Sequence, residues 1–466
     1  MSDTLENNIV KLAMFQELGR AELLTEDSVA LAFTDRYRDR LRFDHDHGKW
    51  YVWTGTRWQC ERTCLAFCWA RDLVRELAKA LPEKVRLIAS KANFAGNVER
   101  YARADRAFAI VSDIWDNDGY LLGTPAGTVD LRTGALRKAQ PDDFITKATA
   151  VAPAETTDCP RWLQFLSEAT NGDQALIDFL QQFAGYTLTG DTREEALLFV
   201  YGPGGNGKTV FQNTLAGILC DYATTAAMDT FVTSSTDKHP TDLAKLRGAR
   251  LVTASETEEG RTWAESRIKQ MTGRDRISAR FMRQDFFEYT PQFKLLLIGN
   301  HQPSLRNVDD AARRRFNFVP FIHKPVTPDR DLEAKLRTEW PGILRWMLDG
   351  CLMWQRTGLI RPQVVIDCTE EYFQEQDSIR QWVDERCDTG KGAGLWDSSS
   401  NLFRSWSNWA SAHGEKPGTA KWFAQALRRL GFKPYRKDKA RGFFGIEAKP
   451  EITSPYWSDR DTDHDG

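Results

Sequence analysis

The chain has 466 residues, a formal net charge of −2 and 27% charged residues. Its length allows two to four domains with cores of ordinary size, and its near-neutral total charge excludes any inference about partners from charge alone. No run of about 18 apolar residues occurs, and the polar, acidic stretch 1–10 does not look like a signal peptide, so we expect a soluble cytoplasmic protein with no membrane association.

Residues 1–155 are predicted to form an α+β domain. Aromatic and polar residues alternate across two glycines in residues 41–58, as they do in β-hairpins. The pattern becomes helical and charged over residues 64–105, and residues 127–134 predict another hairpin bounded by turns. The segment has no spaced acidic pair followed by a basic residue, which a primase or polymerase metal site would need. Any primer synthesis is therefore expected from another chain.

Two groups of residues in this domain could hold a metal ion. Cys60, Cys64 and Cys68 share one face of a helix, but no second ligand pair accompanies them. Residues 45–47 read His-Asp-His, yet neighbouring positions on a strand face opposite ways. We therefore favour buried small side chains for the cysteines and a solvated turn for the histidines over metal sites.

Apolar residues recur at helical spacing between residues 160 and 188. This stretch predicts a compact helical unit. It lies directly before the most specific motif of the chain.

That motif is the Gly-Pro-Gly-Gly-Asn-Gly-Lys-Thr stretch of residues 202–209, which fits G-x-x-x-x-G-K-[ST]. Residues 197–201 predict a buried parallel strand before it, and residues 210–220 predict a helix after it. Backbone N–H groups of such a loop cradle phosphates, Lys208 would reach the β- and γ-phosphates, and the Thr209 hydroxyl would bind Mg²⁺. The predicted ATP contacts are Gly202, Pro203, Gly204, Gly205, Asn206, Gly207, Lys208, Thr209 and Val210.

Three further apolar strands are predicted at residues 249–255, 294–300 and 316–321. Glu256 follows the first of them and is the candidate for activating water and for binding Mg²⁺, with a solvated acidic turn as the alternative. Asn300 ends the second and could orient the attacking water or touch the γ-phosphate, with a plain turn as the alternative.

Three consecutive arginines, Arg313, Arg314 and Arg315, lead into the last predicted strand. Such a run is unusual for a solvated face ahead of a buried strand, so at least one arginine is a candidate finger that stabilises transition-state charge. If it acts on another copy of the chain, the enzyme must be a ring or a dimer.

Residues 264–294 contain seven Lys or Arg against four Asp or Glu, with Phe281, Phe286 and Phe287 interleaved. Basic residues mixed with aromatic ones suit a surface that follows a nucleic-acid backbone and touches its bases. Lys269, Arg280 and Arg283 are the predicted DNA contacts. An amphipathic packing element is the alternative.

Five ordered motifs of this sequence resemble those of superfamily 3 helicases. They are residues 198–209, 243–256, 269–280, 298–303 and 314–321. The most similar branch is the phage and plasmid type, represented by the phage P4 primase-helicase and the poxvirus D5 protein. Residues 50–58 and 127–146 also resemble the accessory domain that precedes the helicase in this branch.

The resemblance implies a modified AAA+ fold and a hexameric ring that translocates on single-stranded DNA. It makes Glu256 the second acid of the Walker B motif, Asn300 the sensor 1 residue, and Arg314 or Arg315 the finger, and it places a pore hairpin near residues 280–287. Many members have two acids at Walker B, whereas Ser255 precedes Glu256 here. The arrangement around Mg²⁺ is therefore left open.

The C-terminal segment is also basic. Residues 421–441 carry eight Lys or Arg against one acid, in the order helix, then strand-like hairpin. This order resembles a winged helix, and we favour a duplex-DNA contact over a protein-docking role. The predicted contacts are Lys421, Arg428, Arg429 and Lys437. Residues 451–466 are acidic and predicted to be disordered.

The sequence thus predicts an α/β protein, an AAA+-like P-loop ATPase of the superfamily 3 helicase type. Its predicted segments are an N-terminal α+β accessory domain (1–155), a helical collar (156–192), the ATPase (193–360), a C-terminal winged helix (361–450) and an acidic tail (451–466). The expected function is ATP- and Mg²⁺-dependent DNA unwinding in the replication of a phage, plasmid or integrated mobile element. Expected partners are single-stranded and forked DNA, further copies of the chain in a hexamer, and a separate primase or other replication proteins.

Two other functions fit parts of the sequence. One is a replication initiator that binds DNA without unwinding it and uses ATP as an assembly switch. The other is a small-molecule kinase, which would share the phosphate loop but need its own acceptor pocket.

Overall fold

The computed structural model describes residues 24–233, 241–255, 261–283, 285–305, 310–325, 327–390, 394–414, 417–437 and 440–450. The chain divides into two units: the first comprises Met1–Gln302 and Arg314–Val365, and the second comprises Pro303–Arg313 and Ile366–Gly466. Among the described helices, none combines the length and apolar character that crossing a membrane requires.

A small sheet and four helices form the N-terminal part of the first unit. The strands are β1 (Leu41–Asp44), β2 (Lys49–Trp53), β3 (Trp58–Cys60) and β4 (Ala109–Ile110), and the helices are α1 (Glu26–Tyr37), α2 (Leu65–Ala78), α3 (Glu83–Ala89) and α4 (Ala92–Ala104). The sheet order is β3-β2-β1-β4, with only β4 parallel to its neighbour. Phe33, Leu73 and Val98 from three helices meet Phe43 and Trp50 from the sheet in one core. The hairpins predicted within residues 41–58 are confirmed.

The prediction for the three cysteines is wrong: Cys60 ends β3 and Cys64 precedes α2, so they do not share a helical face, and none of the three is buried. Among the described residues, no cluster of three or more His, Cys, Asp or Glu side chains could hold a metal ion. The buried Asp44 carboxylate instead accepts hydrogen bonds from Ser112 Oγ at 2.9 Å, Trp115 Nε1 at 3.0 Å and His47 Nδ1 at 2.9 Å. These bonds fix the β1–β2 turn against the segment after β4.

A second antiparallel sheet follows, built from β5 (Leu121–Thr124), β6 (Gly127–Asp130) and β7 (Ala135–Arg137) in that order. Leu122, Val129 and Leu131 are fully buried and belong to the same core as the central sheet described next. Although residues 121–137 fall within the segment predicted as an N-terminal domain, their apolar side chains complete the core of the following one.

The remaining elements up to residue 357 include the strand and helix on either side of the phosphate-loop motif. In chain order they are α5 (Pro160–Ala169), α6 (Gln174–Tyr186), β8 (Leu197–Tyr201), α7 (Lys208–Leu219), β9 (Ala223–Thr225), α8 (Thr241–Ala244), β10 (Leu251–Ser255), α9 (Glu265–Thr272), β11 (Ile277–Ala279), β12 (Phe287–Tyr289), β13 (Lys294–Gly299), α10 (Asp310–Arg313), β14 (Phe316–Pro320) and α11 (Leu332–Thr357). Single turns of 3₁₀ helix occur at Ser112–Ile114, Pro141–Asp143, Cys220–Tyr222 and Met228–Thr230.

The central sheet has five parallel strands in the order β14-β8-β13-β10-β9. The predicted strands are confirmed as β8, β10, β13 and β14. Every residue of β13 and β14 is buried, as expected for parallel strands covered on both faces. Because β8 lies between two strands that come later in the chain, the strand order reverses beside it. Ligands of open α/β sheets bind at such points, outside the carboxyl ends of the strands.

The predicted helical unit is confirmed as α5 and α6, and it packs into this core. Trp162 and Leu166 of α5 and Phe183 of α6 are fully buried in the same cluster as β8 and α11. Gly185 and Gly350 allow α6 and α11 to touch at the backbone, since a Cβ atom at Gly350 would lie 2.1 Å from a carbonyl oxygen of α6. The predicted boundary at residues 192 and 193 thus falls within one packed core.

The second unit contains most of the C-terminal elements. They are α12 (Gln363–Glu375), within which the division between units falls, α13 (Ser378–Arg386), β15 (Cys387–Thr389), β16 (Trp396–Ser398), α14 (Ser399–Ala412), α15 (Ala420–Arg429), β17 (Lys433–Lys437), β18 (Ala440–Phe444) and β19 (Ile446–Ala448). Trp382, Trp406 and Phe423 from three helices form its core with Phe443 of β18. The helix followed by a hairpin that the sequence predicts is present as α15 and β17–β18. The acidic tail lies outside the described residues.

Candidate nucleotide site and nucleic-acid surfaces

The loop between β8 and α7 turns tightly because its glycines adopt backbone conformations that other residues rarely adopt. Gly205 has φ +83° and Gly207 has φ +85°. A Cβ atom on Gly202 would lie 2.0 Å from the carbonyl oxygen of Phe321, and one on Gly207 would lie 2.4 Å from the Phe165 ring. At Gly205, in contrast, an added Cβ would meet nothing within 4 Å. The loop is therefore packed against protein on one side and open on the other, which suits N–H groups that face an anion.

Lys208 begins α7 and is held by its own loop. The side chain is only 7% exposed, and Nζ donates to the carbonyl oxygens of Gly202 at 2.6 Å and Pro203 at 3.1 Å and to Asn206 Oδ1 at 3.0 Å. Burial, and then the charge of Lys324, lower the pKa of Lys208 below its usual value. Phosphate oxygens are stronger acceptors than these neutral groups, so the ammonium is placed to exchange them for an anion.

The loop opens into a cleft of about 630 Å³. Residues from four parts of the first unit line it: Arg161, Gln164, Phe165, Glu168 and Ala169 of α5; Gly204 to Val210 of the loop and α7; Asn300 after β13; and His323, Pro325, Thr327, Pro328, Asp329 and Leu332 before or at the start of α11. The structure thus brings seven of the nine predicted loop residues, Gly204 to Val210, together with Asn300, which is 90 or more positions away in sequence. Gly202 and Pro203 are not among the lining residues. Thr209 is exposed at the cleft, as a metal-binding hydroxyl has to be.

The carboxyl end of β10 lies at the same edge of the sheet, since β10 pairs in parallel with β13. Its last residue, Ser255, contacts Gln212 of α7, with 3.4 Å between Ser255 Oγ and Gln212 Oε1. Glu256 is the next residue and lies outside the described residues. Its predicted roles as the water-activating residue and as a Mg²⁺ ligand together with Thr209 stay predictions.

The three predicted arginines have three different environments. Arg313 belongs to the second unit and forms an ion pair of 2.5 Å with Glu370. Arg314 is largely exposed, with 66% of its side chain accessible. Arg315 is buried and forms a 2.6 Å ion pair with Glu195. Of the two candidates for the finger, Arg314 is therefore the one with access to another molecule, and the environment of Arg315 does not fit that role.

The predicted DNA-contacting hairpin is present as the antiparallel pair β11–β12. Its tip is exposed and combines aromatic and basic side chains: Phe286 is 58% exposed, and the Arg280 guanidinium lies 4.7 Å from the centre of its ring. Arg283 is also exposed and has a left-handed φ of +61°. Lys269 is half-buried in α9, which leads into the hairpin.

The predicted basic contacts of the second unit lie on α15 and its hairpin. Lys421, Arg428 and Lys437 are exposed, whereas the side chain of Arg429 lies outside the described residues. All five residues of β17 are exposed, and Tyr435 among them lies 6.1 Å, centre to centre, from the ring of Phe444. The surface has the basic and aromatic composition of a nucleic-acid interface.

Sequence reasoning missed the contribution of α5 to the cleft. The spacing of apolar residues predicts that Phe165 is buried in a helical core, and it is. Its ring also packs against Gly207 of the phosphate loop. Arg161 and Gln164 lie on the exposed face of the same helix and reach the cleft. No local motif marks them, because only the packing of α5 beside the loop gives them this position.

The described fold is a mixed α/β one, with a phosphate-loop sequence at the carboxyl edge of a parallel sheet. Residues 30–171 match a family described as "D5 N terminal like". Residues 200–315 match a family described as "Family of unknown function (DUF5906)", a range that runs from the end of β8 to Arg315.

Similar proteins come from large DNA viruses. A stretch of 321 residues is 26% identical to "Putative helicase L207/L206" of Acanthamoeba polyphaga mimivirus and covers 62% of this chain and 33% of that protein. A stretch of 268 residues is 30% identical to "Putative helicase 022R" of frog virus 3 (isolate Goorha) and covers 52% of this chain and 27% of that protein. The chain therefore spans a third or less of the length of these relatives.

Among solved structures, the apo structure of the NrS-1 C terminal region is similar with 10% identity and a TM-score of 0.49, over 91% of this chain and 99% of that one. From the family match and the viral relatives, the chain is related to the D5-like helicases and primases. The predicted resemblance to the branch represented by the poxvirus D5 protein is confirmed.

Proposed function

We propose that the chain is an ATP-dependent DNA helicase of the superfamily 3 type, which acts in the replication of a phage, plasmid or integrated mobile element and translocates as a ring on single-stranded DNA. One observation carries the proposal: the phosphate loop and Asn300 converge on one cleft at the carboxyl edge of the sheet. The names of the viral relatives, and the order of the five motifs, support helicase activity over other uses of such a cleft.

In this proposal ATP binds with its phosphates in the open side of the loop. The donor set fits this ligand, since Lys208 supplies charge and the exposed Thr209 hydroxyl supplies a ligand for Mg²⁺, with Glu256 as the second. Bound Mg²⁺ would neutralise charge on the phosphates. Asn300 would orient the attacking water without adding charge to the site.

Arg314 would complete the site of a neighbouring copy. It lies at the amino end of β14, whereas the phosphate loop follows the carboxyl end of the adjacent parallel strand β8. The length of a five-residue strand, about 16 Å, separates these two edges, so Arg314 lies at the opposite edge of the sheet from the cleft of its own chain. This geometry supports a finger acting between copies, and a hexamer is the assembly that the family resemblance implies.

The two basic surfaces would bind DNA. The β11–β12 hairpin, with Lys269, Arg280 and Arg283, would contact the single strand in the centre of the ring, and Lys421, Arg428, Arg429 and Lys437 would contact duplex DNA through a winged helix. Exposed rings beside guanidinium groups support stacking on bases together with phosphate contacts.

The test is the unwinding of a forked duplex with and without ATP, together with a mass measurement of the assembly. Wild-type protein is expected to unwind the fork only with ATP and Mg²⁺, and to assemble as a ring. Lys208→Ala is expected to lower the rate of ATP hydrolysis by about 100-fold or more, because it removes a charged group that faces the reacting phosphates.

Lys138→Ala is the matched control, since Lys138 is exposed and lies outside the cleft. Unwinding that survives Lys208→Ala but depends on the basic residues of α15 would favour the DNA-binding initiator. ATP hydrolysis that single-stranded DNA leaves unchanged, but a small acceptor molecule stimulates, would favour the kinase.

A further inference from the structure

The two arginines directly before β14 share one carboxylate. Arg314 and Arg315 lie in the turn that leads into the strand, and their side chains are 66% and 8% exposed, respectively. Glu195 Oε2 lies 2.6 Å from Arg315 Nη2 and 3.5 Å from Arg314 Nη2. Glu195 itself has a left-handed φ of +51°, which is uncommon for a residue other than glycine. It lies two residues before the first residue of β8, the strand that leads into the phosphate loop, so the chain holds this carboxylate at a defined place.

Arg315 also contacts the helix that leads into the DNA-contacting hairpin. Its Nε donates to Thr272 Oγ1 at 3.2 Å, and the Thr272 hydroxyl donates to the carbonyl oxygen of Ile268 at 2.8 Å. Thr272 is the last residue of α9 and is 3% exposed. Only four residues separate it from Ile277, the first residue of β11. The buried guanidinium therefore links the start of β14 to the base of the hairpin.

The other end of α9 is also attached to the start of β14. The ring of Trp263, just before α9, lies 5.4 Å from the Phe316 ring and 5.5 Å from the Phe199 ring, edge to face in both cases. Trp263 and Phe316 are each only 1% exposed. Because α9 is fixed at both ends, a displacement of the start of β14 has to displace the helix and its hairpin as one body.

We propose that Arg315 is a positioning residue that couples the nucleotide site touched by Arg314 to the hairpin that touches DNA. This inference rests on the proposed function, because it requires Arg314 to reach a neighbour's nucleotide and the hairpin to bind single-stranded DNA. The two arginines share a peptide bond, so movement of Arg314 towards the nucleotide moves Arg315. The planar guanidinium, fixed between Glu195 and Thr272, passes this movement to α9, whereas a flexible side chain would absorb it.

The exposed contact of Arg314 with Glu195 is the part of this arrangement that can break. At 3.5 Å and with 66% of the arginine side chain accessible, it contributes little stability. The buried contacts of Arg315 have no such exposure to solvent. Arg314 can thus leave Glu195 for a phosphate while Arg315 stays bound, and the movement of the strand reaches the hairpin.

The experiment compares ATP hydrolysis with and without a single-stranded oligonucleotide in wild type, Thr272→Val, Thr272→Ser and Glu195→Gln. Valine keeps the shape of threonine and removes the hydroxyl that meets Arg315. We expect basal kcat and the KM for ATP to stay within about twofold of wild type in Thr272→Val, while the stimulation by DNA falls to less than twofold. Thr272→Ser, which keeps the hydroxyl, should retain the stimulation.

Thr170→Val is the matched control, since Thr170 ends α5 and its hydroxyl makes the same bond to the carbonyl oxygen four residues earlier, at 2.8 Å. It should keep wild-type stimulation. If Thr272→Val unfolds at the assay temperature, the stimulation of Glu195→Gln by DNA tests the inference instead, because this substitution weakens the other contact of Arg315 at a partly exposed position.

Wild-type stimulation in both Thr272→Val and Glu195→Gln, or in whichever of them folds, would overturn the inference. A wild-type chain that lacks ATP hydrolysis, or whose hydrolysis does not respond to DNA, would instead contradict the proposed function.

Discussion

At the scale of single residues, the chain keeps its functional ammonium buried and satisfied by uncharged oxygens. Lys208 Nζ has three such acceptors, two of them carbonyl oxygens of its own loop. Its burial, followed by the nearby charge of Lys324, lowers its pKa. An anion in the loop acts in the opposite direction, because an opposite charge favours the protonated amine. In the proposed function, binding of nucleotide and protonation of Lys208 would therefore be linked.

This linkage predicts that the affinity for ATP falls as pH rises in the alkaline range, below the usual lysine pKa of about 10.4. The free protein loses the Lys208 proton more readily than an ordinary lysine does, and the neutral amine binds phosphate more weakly. Binding of a fluorescent ATP analogue measured across pH 7 to 10 would show the decrease. Lys324→Gln removes the second cause of the shift and should move the decrease to higher pH. An affinity constant across this range would contradict the linkage.

Individual residues of the site differ in how far their positions could be predicted from the sequence. Lys208 and Asn300 occupy motifs whose spacing defines their positions at strand ends, and the structure places both at the cleft. The difference between Arg314 and Arg315 could not be predicted, because it depends on which of the two neighbouring side chains packs beside Thr272. Both lie in one turn, and only the packed fold decides which of them is exposed.

At the scale of elements, the β11–β12 hairpin leaves large apolar side chains exposed to solvent. Phe281, Met282 and Phe286 at its tip are 38%, 68% and 58% exposed. The Phe281 ring stacks on Phe287 at 5.8 Å, which stiffens the base of the tip. Exposed rings on a stiff hairpin lose little conformational freedom on binding, so in the proposed function their stacking on bases would add to the affinity for DNA.

We expect Phe286→Ala to weaken binding of single-stranded DNA by about 1–3 kcal/mol, the usual contribution of one stacked base. Binding of ATP should not change, because the hairpin is not part of the cleft lining. Fluorescence anisotropy of a labelled oligonucleotide measures the effect. Tyr101→Ala is the control, since Tyr101 is 54% exposed on α4.

The salt dependence of binding separates the basic residues of the hairpin from the aromatic ones. Arg283→Ala should lower the slope of log affinity against log salt by about 0.7, as expected when one phosphate contact to a single strand is lost. Phe286→Ala should leave the slope unchanged. Equal slopes for both variants would mean that Arg283 does not touch a phosphate.

At the scale of the molecule, the strands of the central sheet were predictable because parallel buried strands are short apolar runs between polar turns. The extent of the core could not be predicted in the same way. Leu122 and Val129 of a small antiparallel sheet pack into the same core as α5, α6 and the central sheet. The sequence pattern of this hairpin does not reveal which neighbouring element the hairpin packs against. Three segments that the sequence analysis treats as separate therefore share one core in the structure.

Two buried basic side chains join these segments at the amino edge of the sheet. Arg250, just before β10, donates to the carbonyl oxygens of Leu188 and Leu121, the latter at 2.8 Å. Lys294, the first residue of β13, donates to the carbonyl oxygens of Asp191 at 3.1 Å and Gln292 at 3.3 Å. Burial, and then the charge of Arg250, lower the pKa of Lys294 well below its usual value.

Lys294→Met is therefore expected to destabilise the first unit by about 1–3 kcal/mol, because it leaves buried carbonyl oxygens without their donor. The loss should grow with pH. Between the lowered pKa of the folded state and the ordinary one of the unfolded chain, the unfolded chain binds more protons, so the wild type gains stability as pH rises, and the methionine variant does not. Thermal midpoints at pH 7 and 9.5 would show the gap between the two proteins widening. Lys138→Met, at an exposed lysine, should show no such change. A difference in thermal midpoint between wild type and Lys294→Met that stays constant with pH would mean that Lys294 is charged within the fold.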